Sequence, residues 1–104
     1  MVITMTQGEQ LTIPFSLKQD GHALTPEMIS DLKVCVGSVS KKYSEDSVKF
    51  SGNKWSFLMR QKDTISMEPG THDLVIHIKY PNEDILIRKI ARMVINKSCC
   101  KEEF

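Results

Sequence analysis

Histidine is the side chain of this sequence best suited to acid–base or metal chemistry, and it occurs three times, at His22, His72 and His77. Successive side chains of an extended strand alternate between its two faces. His72 and His77, five positions apart, therefore point in opposite directions and cannot share a metal ion. Asp73 shares a face with His77, but four residues of strand separate the two side chains by about 13 Å. The spacing predicts neither a base with an orienting carboxylate nor a histidine metal site.

Cysteine could supply redox or soft-metal chemistry, and the chain has three cysteines, Cys35, Cys99 and Cys100. No histidine lies near the adjacent pair, and the sequence lacks the two separated ligand pairs that usually mark a zinc site. An odd number that includes two neighbours also does not fit the disulfide framework of a small secreted domain. We therefore expect free thiols in a reducing compartment.

The other common catalytic patterns are also missing from the sequence. It contains neither a G-x-S-x-G nucleophile elbow nor a glycine-rich phosphate loop. Its adjacent carboxylates fall in predicted loops, where solvation explains them: Glu45-Asp46, Glu83-Asp84 and Glu102-Glu103. We therefore expect no catalytic, cofactor-binding or metal-binding residue, no cofactor, and a protein that is not an enzyme.

Basic residues stand next to aromatic ones at Lys41-Lys42-Tyr43 and Lys54-Trp55, a combination typical of proteins that bind single-stranded nucleic acid. The strand register predicted for residues 47–59 turns Trp55 inward, however, and the formal net charge is only +1, so we expect no nucleic-acid partner.

No stretch reaches the roughly 18 apolar residues of a membrane span, and the N-terminus lacks the basic and apolar parts of a signal peptide. We expect no membrane association.

Charge is unevenly distributed along the chain. Residues 1–32 hold four acids and one base, residues 33–62 hold seven bases and two acids, and residues 63–104 hold seven acids and six bases. Such a run is usually a solvated face, but complementary patches on one domain also permit head-to-tail contacts. Since exposed ion pairs contribute only about 0–1 kcal/mol each, we expect at most a weak, salt-sensitive homo-oligomer.

Residues 47–59 predict a β-hairpin in a defined register. Gly52-Asn53 fits a two-residue primed turn, and alternating apolar residues flank it on both sides. Paired residue numbers then sum to 105, so that Phe50 faces Trp55 and Val48 faces Phe57 on one side of the ribbon. We expect the aromatic residues of this face to anchor a hydrophobic core.

The same reasoning predicts seven strands. They are Val2–Thr6, Gln10–Lys18, Leu32–Val39, the two strands of the hairpin at 47–59, His72–Tyr80 and Ile85–Ile95. Pro14 cannot donate a ladder hydrogen bond, so we expect its strand to be an edge strand or to carry a bulge. The predicted connections include a helical turn in Leu24–Asp31, a loop at Ser40–Glu45, a short strand or a turn at Asp63–Met67, and a type II turn at Glu68–Thr71.

Short strands separated by turn residues are typical of an all-β sandwich rather than of alternating strands and helices. A chain of 104 residues is long enough to form one two-layer core. We expect a single sandwich domain over residues 1–96. Residues 97–104 lack alternation, and we expect them to form a flexible tail.

Four segments resemble a family of small immunoglobulin-like β-sandwiches from phages and prophages, which includes the N-terminal domain of baseplate upper proteins. They are Gln7-Gly8-Glu9, Ala23-Leu24-Thr25, Trp55-Ser56-Phe57-Leu58-Met59 with Gln61-Lys62-Asp63-Thr64, and Pro69-Gly70 with the strand that comes after it. Together they extend over about residues 1–96. One departure is that His72 or Leu74 stands where the family often has an aromatic residue.

The resemblance implies an immunoglobulin-like antiparallel β-sandwich of about seven strands without catalytic residues. It also implies a structural or adaptor protein whose partners are other phage or prophage structural proteins. Such a protein is found in the bacterial cytoplasm during assembly and then in the virion or tail particle. The sequence leaves open a free-standing bacterial module that binds carbohydrate or a host protein. A sugar site would require exposed aromatic side chains, for which the candidates are Tyr43, Tyr80 and Phe104.

Overall fold

The chain folds as an all-β protein. The computed structural model describes residues 2–100, and β-strands account for most of them. In chain order the strands are β1 (Val2–Thr6), β2 (Leu11–Phe15), β3 (Lys18–Gln19), β4 (His22–Ala23), β5 (Asp31–Val36), β6 (Val39–Lys42), β7 (Val48–Ser51), β8 (Lys54–Met59), β9 (Gly70–Lys79) and β10 (Ile85–Asn96). An α-helix, α1 (Gln61–Ser66), and two 3₁₀ turns (Pro26–Met28 and Tyr43–Glu45) complete the described elements.

Two sheets pack together around the core. The larger sheet has five strands in the order β1-β10-β9-β5-β6, the smaller has three in the order β2-β8-β7, and β3 and β4 form a separate short hairpin. Among the described strands, every pairing is antiparallel except that of β1 with β10, which is parallel. The all-β prediction is confirmed. The parallel pair is a departure from the wholly antiparallel arrangement that we expected.

The core forms because alternate residues of both sheets are apolar and point inward. Leu32, Leu74 and Met93 of the larger sheet and Trp55 and Phe57 of the smaller sheet are at most 1% exposed. These inner faces belong to one continuous cluster of buried side chains. Burial of apolar surface on this scale is the main stabilising contribution to a domain of this size.

The hairpin predicted at residues 47–59 is confirmed in its register. Phe50 lies opposite Trp55, and Val48 lies opposite Phe57. Gly52 and Asn53 have φ values of 57° and 62°, the left-handed conformation that both central residues of a type I′ turn require.

The strand predicted at Gln10–Lys18 is shorter than expected. β2 ends at Phe15, and Asp20 and Gly21, with φ values of 52° and 80°, turn β3 back onto β4 as a separate local hairpin. β2 lies at the edge of the smaller sheet, with Pro14 exposed, as the proline predicted.

The loop predicted at Ser40–Glu45 is wrong over its first half. The strand predicted at Leu32–Val39 ends at Val36, and a two-residue turn at Gly37-Ser38 leads into β6, which pairs with β5. Gly37 has a φ of 56°, and glycine in the first position is the signature of a type II′ hairpin turn. The signal was therefore present in the sequence.

The short strand or turn predicted at Asp63–Met67 is also wrong, because most of this segment belongs to α1. Oδ2 of Asp63 accepts a hydrogen bond of 2.9 Å from the backbone N–H of Arg60 and so closes the first turn. The same carboxylate oxygen lies 2.7 Å from Nζ of Lys41. The type II turn predicted at Glu68–Thr71 is replaced by a bend, and β9 already begins at Gly70.

The helical turn predicted in Leu24–Asp31 is confirmed as the 3₁₀ turn at Pro26–Met28, although the side chain of Thr25 makes no capping hydrogen bond. At the other end of the chain, the second residue of the predicted tail at 97–104 contacts the body of the protein. The backbone N–H of Ser98 donates to Oε1 of the buried Gln7 at 3.2 Å. Residues 101–104 lie outside the described residues.

Candidate functional site: an open strand edge

The three histidines lie apart from one another. His22 is exposed on β4, whereas His72 and His77 are half-buried and separated by five residues of β9. Nε2 of His72 lies 2.7 Å from the carbonyl oxygen of Glu68. Within residues 2–100, no group of three or more histidine, cysteine, aspartate or glutamate side chains is arranged to hold a metal ion.

The other side chains that could have carried chemistry are also dispersed. All three cysteines are free thiols, with Cys35 half-buried and the adjacent pair exposed. The carboxylates of Glu45 and Asp46 each lie 3.9 Å from a lysine, and Glu102-Glu103 lies outside the described residues. In the basic and aromatic pair Lys54-Trp55, the indole is fully buried.

The aromatic side chains that a sugar site would need are engaged in other contacts. Tyr43 packs edge-on against Trp55, with 5.3 Å between the ring centroids. Oη of Tyr80 donates a hydrogen bond of 2.9 Å to Oε1 of Gln19. Phe104 lies outside the part of the chain that the structure describes.

Asp31 is the carboxylate with the most polar contacts in the described structure. Partial burial of the Asp31 carboxylate raises its pKa. The carboxylate also accepts hydrogen bonds from the Ser44 hydroxyl and from the backbone N–H groups of Leu32 and Ser44, and these bonds lower the pKa, as does the charge of Lys42. Together these effects outweigh that of burial. The net result is a pKa below the ordinary value of 3.8. The carboxylate therefore ties the start of β5 to the 3₁₀ turn at Tyr43–Glu45.

Replacing Asp31 by asparagine is expected to lower the stability at neutral pH. A carboxylate whose pKa is lower in the folded state stabilises that state above its unfolded pKa, and the contribution is lost as the pH falls through the folded-state pKa. The difference between wild type and Asp31→Asn should therefore shrink as the pH drops below 3.8. Urea unfolding across this pH range measures it. Asp73→Asn, which changes an exposed carboxylate, is the matched control and should show a smaller difference throughout.

Several strand edges have no partner among the described strands, including the outer edges of β1, β2, β6 and β7 and part of one edge of β10. β10 runs over Ile85–Asn96, but β1 covers only Arg92–Asn96 of its outer edge. Residues 85–89 and Ala91 pair with β9 on one side, with a β-bulge at Ile90, and no described strand pairs with the other side of residues 85–91. We call residues 85–91 the open segment. At about 3.4 Å per residue, it offers roughly 20 Å of unpaired strand.

The backbone of the open segment presents hydrogen-bonding groups to this edge. The N–H of Tyr80 donates to the carbonyl of Asp84 at 2.9 Å and so closes the β9–β10 hairpin. Hydrogen-bonded and non-hydrogen-bonded pairs alternate along an antiparallel ladder. Ile85, opposite Lys79, and Ile87, opposite His77, therefore direct their N–H and C=O groups away from β9. These groups point toward the free edge.

Side chains of residues 85–89 alternate between an outer face and a groove face, and the β-bulge between Lys89 and Ala91 interrupts this alternation. Ile85 and Ile87 lie on the outer face and are 61% and 55% exposed. Leu86, Arg88 and Ile90 line a groove of about 870 Å³ on the other face. Val2, at the end of the open segment where β1 begins, is a third exposed apolar side chain.

The groove exists because the smaller sheet is too short to cover the larger one. β9 and β10 have ten and twelve residues, whereas β7 and β8 have four and six. β2 ends at Phe15, and the next segment, 16–19, forms the opposite wall of the groove. The end of the β9–β10 hairpin therefore projects past the second layer.

The candidate edge predicted from the sequence lies at Gln10–Lys18, and the structure shows further edges that the prediction missed, among them the open segment. On β2, Pro14 lacks an N–H, so that edge is poorly suited to accept another strand. The open segment contains no proline. The apolar run Ile85-Leu86-Ile87 did not signal this edge, because apolar residues on both faces are typical of a strand that is buried on both sides.

Comparisons with known proteins do not assign this site. Neither the protein-family models nor the curated proteins searched match the chain. None of the helices within residues 2–100 is long and apolar enough to cross a membrane. The function is therefore inferred from the geometry of the edge and its groove.

Proposed function

We propose that this chain is a non-enzymatic adaptor that acts by protein–protein assembly, with the open segment and its groove as the contact surface. The observation that carries the proposal is the exposure of Ile85 and Ile87 on a strand whose outer edge is unpaired. An exposed apolar edge is a template for another strand, and proteins usually block such edges. A partner strand would satisfy the free backbone groups and cover both isoleucines.

The energy available from this surface indicates what kind of assembly it suits. Full burial of an isoleucine side chain contributes about 1.5–3 kcal/mol, and Ile85 and Ile87 are already partly covered. Association itself costs at least about 4 kcal/mol in lost motional freedom. A single contact of this size is therefore weak. It becomes effective when several copies bind together, because linked contacts raise the overall affinity without new interactions.

A repeated, weak contact of this kind suits a particle built from rings, and the resemblance to phage and prophage baseplate domains supports the same setting. The proposal is that the chain belongs to a tail or baseplate particle, assembles in the bacterial cytoplasm and remains in the particle. The immunoglobulin-like description of the two packed sheets is part of this proposal.

Sedimentation of particles tests the proposal. The bacterium that carries the gene is induced to release phage-like particles, and the chain is followed by immunoblotting through a density gradient. We expect the chain to sediment with tail-containing fractions. A wild-type chain that stays at the top of the gradient would contradict the assignment to a particle.

The double variant Ile85→Lys/Ile87→Lys is expected to leave the particle fractions while remaining folded. Both side chains are exposed, so the stability should change by no more than about 0.5 kcal/mol. Leu11→Lys is the matched control, because Leu11 is also exposed, at 45%, but lies on the β2 edge beside Pro14. Equal retention of the double variant and the wild type in the particles would exclude the open segment as the contact.

A further inference from the structure

We infer that the occupant of the open segment is an extended segment of another protein in which apolar and acidic residues alternate, the acidic ones facing Arg88. This inference rests on the proposed function and specifies the chemistry of the partner. Three features of the molecule support it: the charges around the edge, the different character of its two faces, and the contacts of Arg88.

Basic side chains predominate around the open segment. Arg88 and Lys89 belong to it, Arg92 comes directly after it, and Lys18 lines the opposite wall of the groove. Among the described residues, Asp84 is the one acidic residue that lines the groove, and its carboxylate accepts a hydrogen bond of 3.0 Å from Asn82. Lys89 is paired with Asp73 at 3.1 Å. Arg88 forms no ion pair with any described residue, although its side chain lies in the groove. The unmatched positive charge favours an acidic partner.

Arg88 also occupies the place that a partner strand would take. Its Nη1 donates a hydrogen bond of 3.0 Å to the carbonyl oxygen of Ile87, which is one of the groups that point to the free edge. An incoming strand would supply a backbone N–H to this carbonyl. The guanidinium would then be released to bind a carboxylate on the groove face, where charged hydrogen bonds are stronger than neutral ones.

The two faces of the open segment therefore require different side chains. On the outer face, Ile85 and Ile87 require apolar neighbours. On the groove face, Arg88 requires a carboxylate. Because successive residues of a strand point to opposite faces, a strand that satisfies both requirements alternates apolar and acidic residues.

A second copy of this chain fits the edge less well. If two open segments paired antiparallel about Ile87, each Arg88 would lie opposite a Leu86 and diagonal to the other Arg88. Such a pairing sets the two Arg88 side chains diagonally on the same face of neighbouring strands, where like charges are destabilising. The charge balance thus favours a different protein as the occupant.

Synthetic peptides of seven residues, matching the length of residues 85–91, test the inference on the full chain. The probe alternates valine and glutamate, one control alternates valine and lysine, and a second control places proline at the centre of the probe. Two-dimensional NMR of the ¹⁵N-labelled protein follows the amide signals during each titration. We expect the Val/Glu probe alone to shift the amides of the open segment and of Val2.

Reversing the charge at Arg88 is expected to change the affinity for the Val/Glu probe more than any other substitution proposed for this edge. Loss of a charge-assisted hydrogen bond and its replacement by repulsion should weaken binding of the Val/Glu probe by about tenfold or more. The Arg88→Glu variant should also bind the Val/Lys peptide more tightly than the Val/Glu probe. Arg88→Gln removes the charge with less change in shape and serves as a second variant, for which we expect an intermediate loss. Leu11→Lys should bind as the wild type does.

Several outcomes would overturn the inference. They are equal binding of the Val/Lys and Val/Glu peptides, shifts centred on β2, no shift at peptide concentrations up to about 2 mM, or dimerisation through the open segment without peptide. Failure of the peptides together with sedimentation in particles would reject the acidic strand and retain the proposed function. Binding of the Val/Glu probe without sedimentation in particles would reject the particle and retain the edge chemistry.

Discussion

Replacing Trp55 by alanine is expected to cost about 3–5 kcal/mol of unfolding free energy, as large-to-small changes of buried aromatic residues do. Trp55 is fully buried, and its ring centroid lies 4.9 Å from that of Phe50 and 5.3 Å from that of Tyr43. Nε1 donates a hydrogen bond of 3.0 Å to the carbonyl of Leu24. Since domains are stable by about 5–15 kcal/mol, the variant should lose a large share of its stability. Urea titration followed by circular dichroism measures the loss.

Trp55→Phe separates packing from hydrogen bonding. Phenylalanine retains most of the ring volume but leaves the carbonyl of Leu24 without the indole N–H, for which we expect a smaller loss of about 1–3 kcal/mol. In the wild type, the fluorescence of this single tryptophan should be blue-shifted and protected from iodide. Red-shifted, easily quenched emission would show that the indole is not a core residue.

Replacing Thr64 by valine is expected to cost about 1–3 kcal/mol, because it leaves polar backbone groups without a partner. Thr64 is fully buried in α1. Its Oγ1 accepts a hydrogen bond of 3.0 Å from the N–H of Gly8 and lies 2.9 Å from the carbonyl oxygen of Glu9, to which it donates. These contacts join the helix to the turn between β1 and β2. The two side chains have nearly the same shape, so the loss isolates the hydroxyl.

Thr64→Ser is the matched control, since it keeps the hydroxyl and removes only the methyl group. We expect it to retain the backbone contacts and to be more stable than Thr64→Val. Thermal unfolding of the three proteins under one set of conditions ranks them. A valine variant as stable as wild type would mean that water replaces the threonine hydroxyl at this turn.

The β7–β8 hairpin could be predicted from sequence because its determinants are local. Gly52-Asn53 can adopt the left-handed conformation of a primed turn, and the turn then sets the pairing of every residue on either side. Burial of Trp55 and Phe57 could be deduced from that register alone. No knowledge of the second sheet was required.

α1 could not be predicted because its stability is not local. Its six residues are too few to form a helix in isolation. Asp63 caps the first turn and is paired with Lys41, while Thr64 is held by the turn between β1 and β2. Both Lys41 and this turn are distant in sequence. The helix is therefore a product of tertiary contacts.

Side-chain periodicity and turn chemistry act over a few residues, and from them alone the all-β class, the alternation that builds the core and the position of Pro14 at an edge could be predicted. Which part of β10 remains unpaired was set by the tertiary fold. β1 pairs with β10 in parallel over Arg92–Asn96 only, and the smaller sheet ends before the β9–β10 hairpin does. Strand order and sheet length depend on contacts between residues far apart in the chain. For that reason, no local pattern could show that Ile85 and Ile87 would face solvent on an unpaired strand.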